Sequence, residues 1–207
     1  MCDCCEMADA HVAFFDTLAE TWDSMHDLSV LGARLDEGLK RFGVGSQENV
    51  LDVGCGTGNL TAALLRYLSS AGKITAVDIS PRMIEIARLK ADDPRVRWIL
   101  GPIEHLDPSR ESFDRVICFS VWPHLADPVS AAQLLYRMLV SGGMLHLWHL
   151  ISREAVNKIH SEASEAVRDH LLAPATQTAV LLEQSGFTVK ETQDDDAGYL
   201  VTAQKAV

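Results

Sequence analysis

Nowhere in the 207 residues does an apolar run approach the roughly 18 that a membrane-spanning helix needs, so no span is expected. Positive charge is also scarce. Eighteen Lys and Arg face 29 Asp and Glu, a net charge of -11, which argues against a nucleic-acid partner because phosphate binding draws on clustered cations. The opening residues Met1-Cys2-Asp3-Cys4-Cys5-Glu6 are acidic where an export signal is basic and then apolar, and the expected location is the cytoplasm. Five cysteines, an odd number, do not suggest a disulfide framework. Repeats, low-complexity tracts and linkers are missing too. A hydrophobic fraction of 47% and a charged fraction of 23% are ordinary for a globular protein and exclude disorder, so one domain with one core is expected.

What the sequence does contain is alternation. Helical spacing runs from Asp9 to about Asp23 (Val12, Phe15, Leu18, Ala19, Trp22) and again from Val30 to Phe42. Strands are expected at Asn49–Val53, Lys73–Val77, Val96–Leu100, Asp114–Phe119 and Met144–Leu150. Helices are expected between them, at Asn59–Leu68, after Ser80-Pro81 as far as Ala91, and after Asp127-Pro128, where a capping side chain precedes proline at the first helical position. Ser141-Gly142-Gly143 reads as the stop of that last helix. Helices from Ser152 to about His170 and from Pro174 to Ser185 follow, then two strands, Phe187–Thr192 and Gly198–Gln204, which suggest a hairpin. The pattern predicts an α/β fold, a mostly parallel seven-stranded sheet in a three-layer sandwich ending in an antiparallel hairpin and preceded by N-terminal helices.

In open sheets of this kind ligands bind beyond the carboxyl ends of the strands. The loop Gly54-Cys55-Gly56-Thr57-Gly58 follows the first strand, where missing side chains admit a ligand to the backbone and the next helix offers unpaired N–H groups. Asp78 ends the second strand and is placed to accept hydrogen bonds from two ribose hydroxyls. A tight turn plus a helix-capping acid is the plain structural alternative. A dinucleotide site would have its third glycine three residues after the second, at Asn59. Here Gly54, Gly56 and Gly58 are two apart. The segment Val50-Leu51-Asp52-Val53-Gly54-Cys55-Gly56-Thr57-Gly58-Asn59-Leu60 resembles motif I of the class I, Rossmann-like S-adenosylmethionine-dependent methyltransferases. The resemblance continues through Ala76-Val77-Asp78-Ile79-Ser80-Pro81-Arg82-Met83, Phe113-Asp114 and Gly142-Gly143, over about residues 10–205.

The resemblance implies S-adenosylmethionine as cofactor and a single methyltransferase domain, residues 1–45 forming a tail and lid helices and 46–207 the core. The glycine loop, Cys55 included, and Asp52 behind it would face the methionine part; Asp78 would bind the ribose, and Ile79 and Met83 would pack on adenine. Many relatives place a Gly-Asp pair after strand three, whose carboxylate reads the adenine amino group. Gly101-Pro102 stands there instead, leaving the Ile103 backbone N–H for that task, with Glu104 either a substitute or a solvated helix acid. Ser120 and Val121 would lie beneath the sulfonium. The overall pattern is most similar to the branch containing the ubiquinone and menaquinone methyltransferases, with the Phe14-Phe15-Asp16 to Trp22-Asp23 helix as a lid. Methyl transfer is an in-line displacement, so alignment matters most and a base is optional.

On the acceptor side, His124 and His149 follow strands four and five and are candidates for a base or substrate ligand, against the plainer reading of wall residues. His146, three residues before His149, is expected to point the other way into the core. Trp22, Trp122, Arg153 and His160 are candidate substrate contacts: the tryptophans as apolar walls, Arg153 for an anionic group. The expected partner is a small molecule, with no nucleic acid and no membrane span, in a monomer or homodimer. No metal site is assigned, because Cys2, Cys4 and Cys5 are too few and too close for a closed zinc site. Three alternatives stay open: a metalloid or thiol methyltransferase using those cysteines, a nicotinamide-dependent oxidoreductase, and a cofactor-binding module without turnover.

Overall fold

The computed structural model describes residues 3–207, with side chains described from Ala10 onward. The chain forms two compact units, residues 1–102 and 103–207. The first contains α1 (Asp3–Trp22), a 3-10 turn (Asp23–Met25), α2 (Leu28–Phe42), β1 (Asn49–Val53), α3 (Asn59–Tyr67), β2 (Lys73–Asp78), α4 (Pro81–Lys90) and β3 (Val96–Leu100). The second contains a 3-10 turn (Ile103–His105), β4 (Phe113–Phe119), a 3-10 turn (Trp122–His124), α5 (Pro128–Met138), β5 (Leu139–His149), α6 (Arg153–Glu162), α7 (Ala175–Gln184), β6 (Phe187–Asp195) and β7 (Gly198–Lys205).

In the first unit β1, β2 and β3 pair in parallel in the order β3-β2-β1, with Val53 opposite Val77 and Asp78 opposite Leu100. Strand β1 is an almost wholly buried apolar run, as a parallel strand covered on both faces must be. In the second unit β4 and β5 are parallel, and β7 lies antiparallel between β5 and β6. The mostly parallel strands and the antiparallel terminal hairpin are the α/β arrangement expected from the sequence.

Local chemistry explains most boundaries. The Ser80 hydroxyl accepts the Met83 N–H at 3.0 Å and Pro81 opens α4; Asp127 accepts from Val129 and Ser130 before Pro128 opens α5. Helix α2 begins two residues earlier than its apolar spacing predicts because Asp27 caps it, accepting from Ser29 at 2.9 Å and Val30 at 3.2 Å. It ends at Gly43, whose φ of 64° is the left-handed conformation that suits glycine at a helix end.

Two expectations are corrected. Ser141-Gly142-Gly143 is not a break between α5 and β5 but part of β5, which begins at Leu139. The pairing with β4 jumps from Phe113 opposite Leu139 to Arg115 opposite Met144, and Gly142 at φ 77° turns the chain through this bulge. The helix expected from Ser152 to His170 stops at Glu162. The Asn157 side chain accepts from the Leu172 N–H at 2.7 Å and donates to the Leu172 carbonyl at 3.1 Å, pinning the following segment back against α6.

Candidate active site

In the first unit the glycine loop is folded onto the end of β2. The N–H groups of Gly54 and Cys55 both donate to the Val77 carbonyl, at 2.8 and 3.0 Å. The Gly56 N–H donates to Asp78 Oδ2 at 2.8 Å and the Ser80 N–H to Asp78 Oδ1 at 2.9 Å. These backbone donors leave the carboxylate with lone-pair capacity for further hydrogen bonds, such as a ribose diol offers. Burial raises the Asp78 pKa, partly opposed by the N–H groups of Ser80, Gly56 and Ile79. Gly54, Gly56 and Gly58 all have positive φ, 65°, 51° and 82°. A Cβ on Gly58 would lie 3.0 Å from the Ala87 Cβ, whereas one on Gly56 would meet nothing within 4 Å. Gly58 therefore allows α4 to approach, and Gly56 borders open space.

Asp52 lies behind the loop and is 1% exposed. Its Oδ2 accepts the Thr61 hydroxyl at 2.6 Å, while Oδ1 is buried without a partner among the described residues. Burial, with the Thr61 hydrogen bond opposing it and the charge of Asp78 adding to it, pushes the carboxyl up to about 7. An orphaned buried acceptor of this kind fits a cationic ammonium, as the methionine end of S-adenosylmethionine carries. Ile79 is half-buried and Met83 buried beside this loop on the same chain segment.

Helix α1 and the 3-10 turn after it grip the glycine loop and α4 through a row of acids that sequence reasoning missed. Asp16 accepts from the Ser80 hydroxyl and, at 3.2 Å, from the Arg82 N–H. Glu20 pairs with Arg82 at 2.6 Å. Asp23 accepts from the Thr57 hydroxyl at 2.7 Å, the Asn59 amide at 3.0 Å and Lys90 Nζ at 2.6 Å. Burial works to raise Asp23, but its bonds to Lys90, Thr57 and Asn59 together hold it below the usual carboxylate range. The available signal was the spacing of Asp16, Glu20 and Asp23, which puts them on one helix face. Trp22 stands half-buried beside Asp23, its ring 6.1 Å from that of Phe15.

In the second unit Ile103 is buried and Glu104 exposed. Ser120 has φ 55°, the only left-handed non-glycine conformation among the described residues, and is held by its N–H to the Trp148 carbonyl at 2.8 Å. Backbone strain of this sort collects at functional positions, and no sequence pattern announced it. Trp122 is 5% exposed. Arg153 has its charge matched by Asp194 at 3.1 Å and by Glu154, bracing α6 to β6.

The histidines divide sharply. His146 lies deep, as its strand position implied: Arg115 donates to its Nε2 at 2.6 Å, so Nδ1 carries the proton toward the Thr202 hydroxyl at 3.0 Å. His149 is 3% exposed, packs edge-on to Tyr199 with ring centroids 5.8 Å apart, and has a buried Nε2 without a partner among the described residues. Burial, with His160 adding repulsion, lowers its pKa to about 3. His124, at the end of its 3-10 turn, shares a hydrogen bond with His170 at 3.1 Å between their Nδ1 atoms, and its ring centroid is 4.7 Å from that of His160. His170, absent from the sequence-based candidates, is thus brought into the group. Cys55 and Cys118 are buried, and burial raises Cys55 well above its ordinary value. The cluster Cys2, Cys4 and Cys5 lies outside the described side chains.

Comparison with known proteins agrees with the motif. Residues 50–143 match the model of the methyltransferase domain family. A ubiquinone biosynthesis O-methyltransferase from Alkalilimnicola ehrlichii is 32% identical over 145 residues, 65% of this chain and 57% of the relative. A demethylmenaquinone methyltransferase from Lactiplantibacillus plantarum is 30% identical over 138 residues, 63% of this chain and 58% of the relative. Among solved structures, N-methyltransferase NodS from Bradyrhizobium japonicum in complex with S-adenosyl-L-homocysteine has the same fold, with a TM-score of 0.62 at 21% identity, covering 85% of this chain and 84% of that one. The chain thus spans a little over half the length of the curated relatives, 57% and 58%. The chain is similar to the S-adenosylmethionine-dependent methyltransferases, and residues 50–143 carry its match to the methyltransferase domain family. Among the described residues no helix is long and apolar enough to cross a membrane.

Proposed function

We propose that the protein transfers a methyl group from S-adenosylmethionine to a small-molecule acceptor. The observation that carries this is Asp78, half-buried at the end of β2, its oxygens holding loop N–H groups with capacity left for a ribose diol. In this reading Gly54, Cys55, Gly56 and Gly58 shape the loop, Asp52 receives the ammonium, Ile79 and Met83 pack on adenine, the Ile103 N–H reads its edge, and Ser120 sits beneath the sulfonium. The sulfonium supplies an activated methyl whose leaving group is a neutral thioether. Trp22, Trp122 and Arg153 contact the acceptor, and His124 and His149 hydrogen-bond it. With a pKa of about 3, His149 serves as an acceptor of hydrogen bonds rather than a proton store at neutral pH.

The net charge of -11 supports a small molecule over nucleic acid as substrate, and a cytoplasmic location goes with it. Asn59 speaks against a dinucleotide, since its amide is engaged by Asp23 and Lys90 where a dinucleotide site requires glycine. Calorimetry tests the reading: S-adenosylmethionine and S-adenosylhomocysteine are expected to bind and NADH not. Tight NADH binding with no response to the other two would overturn it.

A further inference from the structure

Four histidines of the second unit, His124, His149, His160 and His170, differ in what their ring nitrogens have left to do. His124 and His170 turn Nδ1 on each other at 3.1 Å. His149 is buried, and its surroundings suppress protonation. His160 is half-exposed, and its Nδ1 lies 2.5 Å from the main-chain carbonyl oxygen of His170. A carbonyl can only accept, so Nδ1 carries the proton and Nε2 carries the lone pair. No hydrogen bond engages that Nε2 among the described residues.

The carbonyl that sets this tautomer is itself held in place. Asn157, one turn earlier on the same face of α6, accepts from the Leu172 N–H at 2.7 Å and donates to the Leu172 carbonyl at 3.1 Å. This locks the backbone two residues from His170. A base whose second nitrogen is fixed by a hydrogen-bond acceptor is the arrangement in which histidine is oriented to take a proton.

We propose that His160 is the general base of the enzyme, that its Nε2 takes the proton of an acceptor hydroxyl, and that Asn157 is the residue that positions it. This rests on the methyltransferase reading. The acceptor oxygen forms the new bond to the methyl carbon as the carbon–sulfur bond breaks, its electron pair leaving on sulfur as the neutral thioether. The hydroxyl proton passes to Nε2 and then to water. A hydroxyl is the class that needs such a base, because a methylated oxygen still holding its proton is strongly acidic. An amine attacks with a free lone pair and sheds its proton afterwards.

The test is long-range proton–nitrogen NMR on the full chain carrying nitrogen-15 histidine, with His160 assigned from the signals lost in His160→Gln. His160 is expected as the Nδ1–H tautomer, and Asn157→Ala is expected to return it toward the Nε2–H form that free imidazole prefers. Asn157→Asp, which keeps the bond from Leu172 N–H, is the second variant should Asn157→Ala fail to fold. Wild-type His160 in the Nε2–H form overturns the assignment, as does a tautomer unmoved by both Asn157 variants. Diethyl pyrocarbonate, which acylates unprotonated imidazole nitrogen, is expected to modify His160 well ahead of His149; the reverse order overturns it. Calorimetry with S-adenosylhomocysteine separates the two layers. Equal affinity in wild type and His160→Gln is expected, and loss in the variant alone moves His160 out of the base role. No binding to wild type refutes the methyltransferase reading itself.

Discussion

Around the glycine loop of the first unit the acids are mostly matched by the protein, whereas in the second unit His149 and His160 each keep one ring nitrogen without a hydrogen bond among the described residues. Around the glycine loop Asp16, Asp23 and Asp78 each hold two or more donors, while Asp52 Oδ1 has no partner among the described residues. In the second unit, among the described residues, His149 Nε2 is buried without a partner and His160 Nε2 carries no hydrogen bond. Buried polar groups are normally satisfied, so Asp52 Oδ1 and His149 Nε2 are the atoms that a ligand's own groups would be expected to match, while the half-exposed His160 Nε2 is open to solvent. In the proposed reading the first region holds the cofactor and the second offers its nitrogens to the acceptor.

The largest expected break in the first region comes from Gly58→Val. With φ 82° and the Ala87 Cβ only 3.0 Å from where the new Cβ would stand, strain and overpacking should lower stability by about 3 kcal/mol or more, measured by denaturant unfolding, and abolish cofactor binding. A variant as stable as wild type would show that α4 yields at this contact.

Asp52→Asn should act in the opposite direction. The folded carboxyl titrates near 7 against an ordinary 3.8, so the folded state binds the proton more tightly than the unfolded one, and stability falls as pH rises from about 4 to about 7 and is level above. Removing the charge should raise unfolding stability above neutrality by about 2–4 kcal/mol, erase that pH slope, and weaken S-adenosylmethionine. A slope that survives the substitution would place the titration elsewhere.

Asp78→Ala should weaken S-adenosylmethionine by about 1–3 kcal/mol in calorimetry through hydrogen bonds left unmade on the ribose. Unchanged affinity would mean the loop does not hold the cofactor. The smallest effect tests the second region: His149→Phe keeps the packing against Tyr199 and removes the orphaned nitrogen, so the melting stability should rise by about 1 kcal/mol while cofactor affinity stays constant. A clear loss of stability would mean that His149 Nε2 is matched in solution and the contrast between the regions is weaker than drawn.

Much of this was legible in the chain. Strands β1 and β3 fall on the expected residues: β1 is buried along nearly its whole length, and β3 is a short segment bounded by turns that pairs with β2 at the sheet edge. The starts of α4 and α5 were readable from Ser80-Pro81 and Asp127-Pro128 since capping is local. The two failures were non-local. Gly142-Gly143 looked like a helix stop and is a bulge set by its β4 partner, and α6 ends at Glu162, with the chain beyond it tied back by Asn157 to Leu172, fifteen positions away.

The same division runs through the site. The sequence by itself determined the loop spacing, the acid at the end of β2 and so the cofactor class, because those features depend on neighbours within one strand–turn–helix unit. Tertiary structure alone decided that Asp23 is spent on Lys90 and Thr57, that Ser120 is strained, that Asp52 is left with one oxygen unmatched, and which histidine keeps its lone pair free of the protein. Those outcomes depend on desolvation and on hydrogen bonds between residues tens of positions apart, and no spacing rule in a single sequence encodes them.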